Sequence, residues 1–492
     1  MHSKRIRRFH EILISELLNE KWDLFFGISL MALSKLTVLA ERRLMDHDIN
    51  DATRITNIEN CKRLSFVKRQ LIILNVSFKT FQILVAFIVL RIKYYSKNTE
   101  KRNRVLASDN LFLGDFARSF EGFLGLTKSI GKTGFISFLQ PIDLKSKIRH
   151  ESDNLIITTG VKVTFSTALK IFGFLFVKVP AVLKKISFLS SFTTKELSFF
   201  FFHFVRNLLY VQYANEIADK INPAAIVLCR DDAYYAIFID AFNKKNISTV
   251  HVIHGTSIND EMTTTPKLAK YISCGGGREI ELFSKEVDKR FLLDIGAPLQ
   301  VVYKNNLITE NKKNYELLII GSFELWIIYD YFLKVFAEAR AIFKTKKTLL
   351  RHHPNIPPNK KRFLEQSIGQ CTISLGRTLT EDIADAEIII CCSTDSLQSC
   401  LMNYKKVIFF PPSDGDTFYY AGSFSNVLPN LIVAGTGSEI INGIEYFEKT
   451  EFTFNTDEYN EKLLYLFGEM DIKEITSNFE NAFKKVRQDY SH

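Results

Sequence analysis

The chain has 492 residues, which is more than one hydrophobic core usually fills, so two or three domains are expected. Hydrophobic residues make up 46% and charged residues 24%, and these ordinary globular values exclude a disordered chain and a membrane protein with many spans. The net charge of +10 is uneven. Residues 1–150 hold 26 Lys+Arg and 14 Asp+Glu, a net charge of +12, and the remaining 342 residues sum to −2.

Residues 1–110 are predicted to be mainly helical, with few Gly or Pro residues. Eleven Lys and Arg residues between positions 62 and 104 surround the apolar run 81–90, a mixture suited to an anionic membrane surface or to a solvated basic helix. Nucleic-acid binding is not expected, because the charge comes without zinc spacing or aromatic interleaving. The basic start is interrupted by Glu11 and Glu16, which favours an amphipathic helix over a signal peptide. A cytoplasmic location is therefore expected.

The middle of the chain changes from helical to strand-like patterns. Residues 155–159 are predicted to form an isolated strand, and the aromatic run 165–217 is predicted to form two packed or membrane-facing helices broken at Pro180. A βαβ unit follows, since parallel strands need a crossover helix. Its predicted elements are strand 225–229, helix 233–244 and strand 249–253, then strand 270–274 before a glycine loop and a polar linker at 305–314.

A second α/β series is predicted after the linker. Its strands are 317–320, 348–351, 388–392 and 406–410, and its helices are 329–343, 360–367 and 396–402. The predicted division is a helical basic part at 1–110, an N-terminal Rossmann-like lobe at 111–304, the linker 305–314 and a C-terminal Rossmann-like lobe at 315–492. We therefore expect an α/β fold of two Rossmann-like domains that face each other across a cleft.

Ligands of parallel sheets bind beyond the carboxyl ends of strands, so the residues directly after each strand are the candidates. In the second lobe these are Gly321, Ser322, Arg351, His353, Pro354, Ser393 and Thr394. Ser393 and Thr394 open a helix, whose free N–H groups and dipole favour a phosphate. A helix N-cap is the alternative for this pair. Arg351 and the imidazole of His353 add a basic edge that can stabilise a leaving nucleotide.

In the first lobe, Asp231 and Asp232 follow one strand and His254 follows the next. A carboxylate and an imidazole at one sheet edge are what activation of an acceptor hydroxyl requires. The alternatives are a helix N-cap for the aspartates and an ordinary loop histidine for His254.

Several other chemistries lose support. Nucleophile elbows, P-loops, GxGxxG and HExxH motifs are missing from the strand-helix junctions. Asp414 and Asp416 have the Asp-x-Asp spacing of a divalent-metal site, but polar turns favour the same residues, and no metal is predicted. The seven cysteines form no CxxC pair and are expected to be reduced.

Residues 220–412 resemble the bacterial surface-polysaccharide glycosyltransferases of the GT-B fold, related to sialyl-, Kdo- and polyol-phosphate transferases. The segment from Ala225 to the His254-Gly255 turn resembles their acceptor lobe, and the His353-Pro354 motif with Ser393-Thr394 resembles their donor site. Gln398 stands where many relatives carry a Glu that holds a ribose. A weaker match at 111–123 makes Asp115 a second acceptor-side candidate.

The resemblance implies transfer of a sugar from a CMP-, CDP- or UDP-linked donor to a surface polysaccharide or lipid-linked glycan at the inner face of the cytoplasmic membrane, with no further cofactor. It assigns the base role to Asp232 or His254. Three alternatives stay open: a CDP-polyol glycerophospho- or ribitolphosphotransferase, a nucleotide-sugar epimerase of the same fold, and a non-enzymatic membrane-associated scaffold.

Overall fold

The fold was taken from a computed structural model, which describes part of the chain. The described residues are 64–95, 103, 105–114, 126–127, 130–138, 155–158, 163–185, 194–221, 223, 225–228, 233–252, 269–285, 287–296, 313–321, 335–353, 356, 358–392, 394–410, 427–452, 456–469 and 471–489.

The first sheet has seven parallel strands in the order β3-β2-β1-β4-β5-β6-β7. The strands are β1 (Asn110–Gly114), β2 (Thr133–Phe138), β3 (Leu155–Thr158), β4 (Ala225–Leu228), β5 (Thr249–Val252), β6 (Tyr271–Cys274) and β7 (Leu292–Asp294). β4, β5 and β6 are buried along their whole length, as expected when helices cover both faces of a parallel sheet, and β4 is apolar throughout.

Long helices accompany this sheet. They are α1 (Phe66–Tyr95), α2 (Phe165–Gly173), a π-helical turn (Phe174–Lys178), α3 (Val179–Lys185), α4 (Thr194–Lys220), α5 (Ala233–Asn243) and α6 (Gly277–Ser284). One hydrophobic core joins α1, the α2–α3 segment, α4 and α5 to strands β1, β2 and β4. Helix α1, the described part of the predicted helical N-terminal portion, is therefore packed on the first sheet.

The second sheet has six parallel strands in the order β10-β9-β8-β11-β12-β13. The strands are β8 (Tyr315–Ile320), β9 (Thr348–Arg351), β10 (Thr372–Ile373), β11 (Ala386–Cys391), β12 (Lys406–Phe409) and β13 (Leu431–Val433). Its helices are α7 (Arg340–Thr345), α8 (Pro358–Ile368), α9 (Leu379–Asp385), α10 (Thr394–Met402), α11 (Gly437–Lys449) and α12 (Asp457–Phe467). Both sheets have the strand order of a Rossmann-like fold, which confirms the predicted fold class of two such α/β domains.

The last helix, α13 (Ile472–Gln488), packs on the first sheet. Its apolar face, including Phe479 and Phe483, is buried with Phe112 and Val227 of that sheet. Tyr271 of β6 also donates a hydrogen bond to Asp489, just beyond the helix. The predicted division gave residues 315–492 to one C-terminal lobe, whereas the end of the chain returns to the first lobe because the apolar face of α13 is covered there.

Two local predictions differ from the structure. The strand at 155–158 is not isolated, because Leu155–Thr158 pairs in parallel with β2, a strand that the sequence analysis did not predict. The helix predicted to break at Pro180 continues, because Pro180 is the second residue of α3 and the first turn of a helix does not need its N–H. The π-helical turn before it takes up the change in hydrogen bonding.

The glycine loop after β6 lies against the end of α12. Gly468 has φ +79°, and a Cβ there would lie about 1.0 Å from the carbonyl oxygen of Gly275. A Cβ on Gly276 would lie 2.5 Å from the amide nitrogen of Gly468. The glycines after β6 are therefore explained by a close backbone contact with the second lobe.

Lys405 joins the end of α10 to the start of β11. Its Nζ donates to the carbonyl oxygens of Ala386 (2.9 Å) and Ala384 (3.2 Å), and burial lowers its pKa to about 8. Between pH 8 and 10.5 the unfolded chain binds more protons at this site than the folded chain does, so the contribution of Lys405 to stability rises with pH across that window.

We expect the unfolding free energy of the wild type, relative to Lys405→Met, to increase by up to about 3 kcal/mol between pH 7 and pH 10.5. Urea unfolding of both proteins at several pH values measures this difference. Parallel pH profiles for the two proteins would contradict the assignment.

Candidate functional site

The second sheet reverses its strand order between β8 and β11, and such reversals create the crevice in which doubly wound sheets bind nucleotides. Cys391, the last residue of β11, is in register with Ile320, the last residue of β8. Gly321 follows β8, and its N–H donates to the carbonyl oxygen of Arg351 at 2.9 Å. The predicted donor residues Gly321, Arg351 and Thr394 therefore belong to three adjacent strand ends.

Arg351 takes part in a buried charge network. Its Nη1 donates to Asp382 Oδ2 at 2.7 Å and to the carbonyl oxygen of Arg377 at 3.0 Å. Ser374 Oγ donates to the same carboxylate oxygen at 2.6 Å, and Arg377 Nε lies 2.8 Å from Asp382 Oδ1. Asp382 is fully buried. Through these contacts Arg351 connects the end of β9 to α9 and the residues before it. Its contact with a phosphate stays a prediction.

The two histidines after β9 differ in their surroundings. His352 Nε2 lies 2.8 Å from Glu365 Oε1 on α8, while its Nδ1 is buried and has no hydrogen-bond partner among the residues that the structure describes. His353 is half-buried, and its carbonyl oxygen accepts a hydrogen bond from Ile356 N. His352 is thus held in place by α8, which orients the backbone that leads into His353.

Helix α10 begins at Thr394, directly after the predicted phosphate residue Ser393. Gln398 lies one turn further on, at the i+4 position from Thr394, and only 1% of it is exposed. Within the part of the chain that the structure describes, neither its Oε1 nor its Nε2 has a hydrogen-bond partner. A buried amide without partners costs free energy in the unliganded protein, and that cost is removed by a ligand that supplies a donor and an acceptor.

Replacing Gln398 with Leu should stabilise the unliganded protein by about 1–3 kcal/mol, because two unsatisfied polar groups leave an apolar environment. Thermal or urea unfolding measures this change, with Gln366→Leu on the exposed side of α8 as the control that gains nothing. A destabilised Gln398→Leu protein would indicate that the amide already has partners in the folded chain.

The thiol of Cys391 lies at the same edge but is unsuited to nucleophilic chemistry. Burial raises the pKa of the Cys391 thiol well above its usual value, and a hydrogen bond with Cys400 makes a smaller contribution in the same direction. A thiol held in its protonated form is a weak nucleophile.

The first sheet reverses its order between β1 and β4. Leu113 of β1 is in register with Leu228 of β4, so the two carboxyl ends are adjacent. Asp115 follows β1 in sequence, and Asp231 and Asp232 lie between β4 and the start of α5. The predicted acceptor residues thus follow the two strands that flank the second reversal point.

Several predicted residues lie outside the described part of the chain, and their roles stay predictions. These are Asp115, Asp231, Asp232, His254, Ser322, Pro354, Ser393, Asp414 and Asp416. The sequence analysis missed Asp382, Ser374 and Arg377, which bind Arg351. The available signal was the capping box of Thr378 and Glu381, which marks the start of α9 and places Asp382 in its first turn.

No family model matches the sequence, and no curated protein matches it. Among solved structures, a UDP-GlcNAc 2-epimerase from Neisseria meningitidis bound to UDP-GlcNAc has a TM-score of 0.49 and 10% identity, over 76% of this chain and 99% of that chain. The Methanocaldococcus jannaschii UDP-GlcNAc 2-epimerase has a TM-score of 0.47 and 14% identity, over 75% and 97%. The wall teichoic acid polymerase TagF has a TM-score of 0.41 and 12% identity, over 85% and 98%. Because each TM-score is below 0.5, the fold class is taken from the chain's own strand orders.

Proposed function

We propose that the chain is a glycosyltransferase that moves a sugar from a nucleotide-activated donor to a surface polysaccharide or lipid-linked glycan. The observation that carries the proposal is the position of the two order reversals. Gly321 and the Ser393-Thr394 pair follow the strands that flank the reversal in the second sheet, and Asp115 and Asp231-Asp232 follow those in the first. Phosphate-binding and proton-accepting groups are thus divided between two sheets.

The donor would bind at the second sheet. Backbone N–H groups at the start of α10 and the hydroxyls of Ser393 and Thr394 would hold the diphosphate, with His353 beside them. These groups would stabilise the negative charge that develops on the departing nucleotide, which is electrostatic catalysis without a covalent intermediate. The buried amide of Gln398 would bind a polar group of the nucleotide, and its lack of hydrogen-bond partners among the described residues supports this role.

The acceptor would bind at the first sheet. Asp232, or His254 after the neighbouring strand β5, would remove the proton of the attacking hydroxyl. Asp231 and Asp115 would orient that hydroxyl. Bringing donor and acceptor sites together would align the two reactants and exclude water.

Product analysis tests the proposal. The purified protein is incubated with nucleotide sugars or CDP-polyols, with and without glycan acceptor primers, and the products are identified by mass spectrometry. The proposal expects a primer extended by one or more sugars. Extension by a polyol phosphate, or conversion of a donor without any primer, would overturn it in favour of a polyol-phosphate transferase or an epimerase.

A further inference from the structure

Helix α1 presents an apolar stripe to solvent along most of its length. The opposite face of the helix is buried in the core of the first lobe through residues such as Ile72, Val76 and Phe87. The exposed side chains follow one another at alternating spacings of four and three residues, so they lie on one helix face. They are Val67, Leu71, Leu74, Phe78, Phe81, Val85 and Ile88, each between 42% and 66% exposed.

The neighbouring helical segment adds to this surface. The π-helical turn and α3 contact α1, and their buried residues belong to the same core. Phe165, Leu169, Phe176 and Val177 of this segment are exposed, Phe165 by 85%. We call the exposed apolar side chains of α1 together with these four residues the apolar face. Exposed apolar surface on two adjacent helices is uncommon in a protein that meets only water, and it indicates a binding partner.

The charges of the two helical segments indicate the chemistry of that partner. Residues 66–95 contain five Lys or Arg residues and no Asp or Glu, and residues 165–185 contain four Lys residues and again no acid. Two copies of the face placed against each other would bring like charges together. A surface of anionic lipid headgroups over hydrocarbon matches both the positive charge and the apolar stripe.

The helices are long and apolar enough to cross a bilayer, with candidate spans at Phe66–Val89 and Phe165–Lys184. Two observations favour binding along the surface. A crossing helix α1 would withdraw Ile72, Val76 and Phe87 from the protein core. It would also place the charge of Lys79 near the bilayer centre, where a lysine is strongly disfavoured, whereas here Lys79 lies over the ring of Phe202 at 5.8 Å.

We propose that the apolar face binds parallel to the surface of an anionic bilayer, with its apolar side chains at the boundary between headgroups and acyl chains. This inference gives the membrane contact expected from the sequence a defined surface. It does not depend on the proposed transferase activity, because its residues lie outside both predicted substrate sites.

Vesicle sedimentation of the full chain tests the proposal. We expect the wild type to sediment with vesicles that contain phosphatidylglycerol, to do so less with pure phosphatidylcholine, and to dissociate as salt is raised. The double variant Leu74→Glu/Phe81→Glu should lose roughly tenfold or more in partitioning, because two apolar contacts are replaced by charges that anionic lipid repels. Leu375→Glu, 79% exposed in the second lobe, is the matched control and should bind like the wild type.

Circular dichroism and thermal unfolding establish that the double variant is folded, which is expected because both positions are exposed. Failure of the wild type to sediment with anionic vesicles would overturn the proposal, and so would equal partitioning of wild type and double variant. Sedimentation velocity gives the remaining outcome. If the wild type forms a dimer, the double variant does not, and neither binds vesicles, the membrane proposal is overturned. The partner of the apolar face would then be a second copy of the chain.

Discussion

Replacing Asp382 with Asn is expected to lower the unfolding free energy of the protein by about 2–4 kcal/mol. The carboxylate is fully buried and is held by Arg351, Arg377 and Ser374. Removing its charge leaves two guanidinium groups facing a neutral amide, whose NH2 group cannot accept hydrogen bonds from them. The side chains of Arg351 and Arg377 are 23% and 32% exposed, so water offsets part of the loss.

Urea unfolding measures this effect, and Glu458→Gln is the matched control. Glu458 forms an exposed i,i+4 ion pair with Lys462 at 2.8 Å, and exposed pairs of this kind contribute little to stability. The control should unfold like the wild type. If Asp382→Asn did so too, the network would not stabilise the end of β9, and Arg351 would be available to bind a phosphate instead.

Replacing Asp232 with Asn should lower kcat by roughly 10²- to 10⁴-fold, because the amide cannot remove a proton from the acceptor hydroxyl. The proposed donor site lies on the other sheet, so the affinity for the nucleotide should stay at the wild-type value. Initial rates with saturating donor and acceptor, together with calorimetric titration of the nucleotide, separate the two effects.

Asp240→Asn is the matched control for this variant. Asp240 lies on α5, the helix that follows Asp232, and forms an ion pair with Lys244 at 2.9 Å. It should keep full activity. An unchanged kcat for Asp232→Asn would move the base role to His254, and a weakened donor affinity would place Asp232 in the donor site.

Local patterns predicted the strands best where both faces of a strand are buried. β4, β5, β9 and β12 lie within one residue of their predicted bounds, because a short run rich in apolar and β-branched residues between polar turns has few other interpretations. β2 was missed because its sequence, TGFISF, begins with Thr-Gly and contains two hydroxyl residues that interrupt its apolar run. Nothing local in that segment distinguishes a strand from a loop.

Features that depend on distant contacts were not predictable. To predict that α13 packs on the first sheet, one must know which apolar surface of that sheet is left uncovered. The sequence of an amphipathic helix shows which face is buried but not what it packs against. The partner of Arg351 is 31 residues away in sequence, so Arg351 was assigned only to a phosphate. Gln398 was recognised by its position after Ser393-Thr394, but its complete burial without partners is a property of the folded core.

If the strand ends beside β8 and β11 form a nucleotide site, a thermal-shift screen with CMP, CDP, UDP and GDP will detect binding there. A ligand that binds only the folded state stabilises it by about 2.7 kcal/mol at a concentration 100 times its Kd. We predict that at least one nucleotide raises the Tm of the wild type and that Ser393→Ala and His353→Ala reduce this shift. An unchanged Tm with all four nucleotides, or an undiminished shift in both variants, would contradict it.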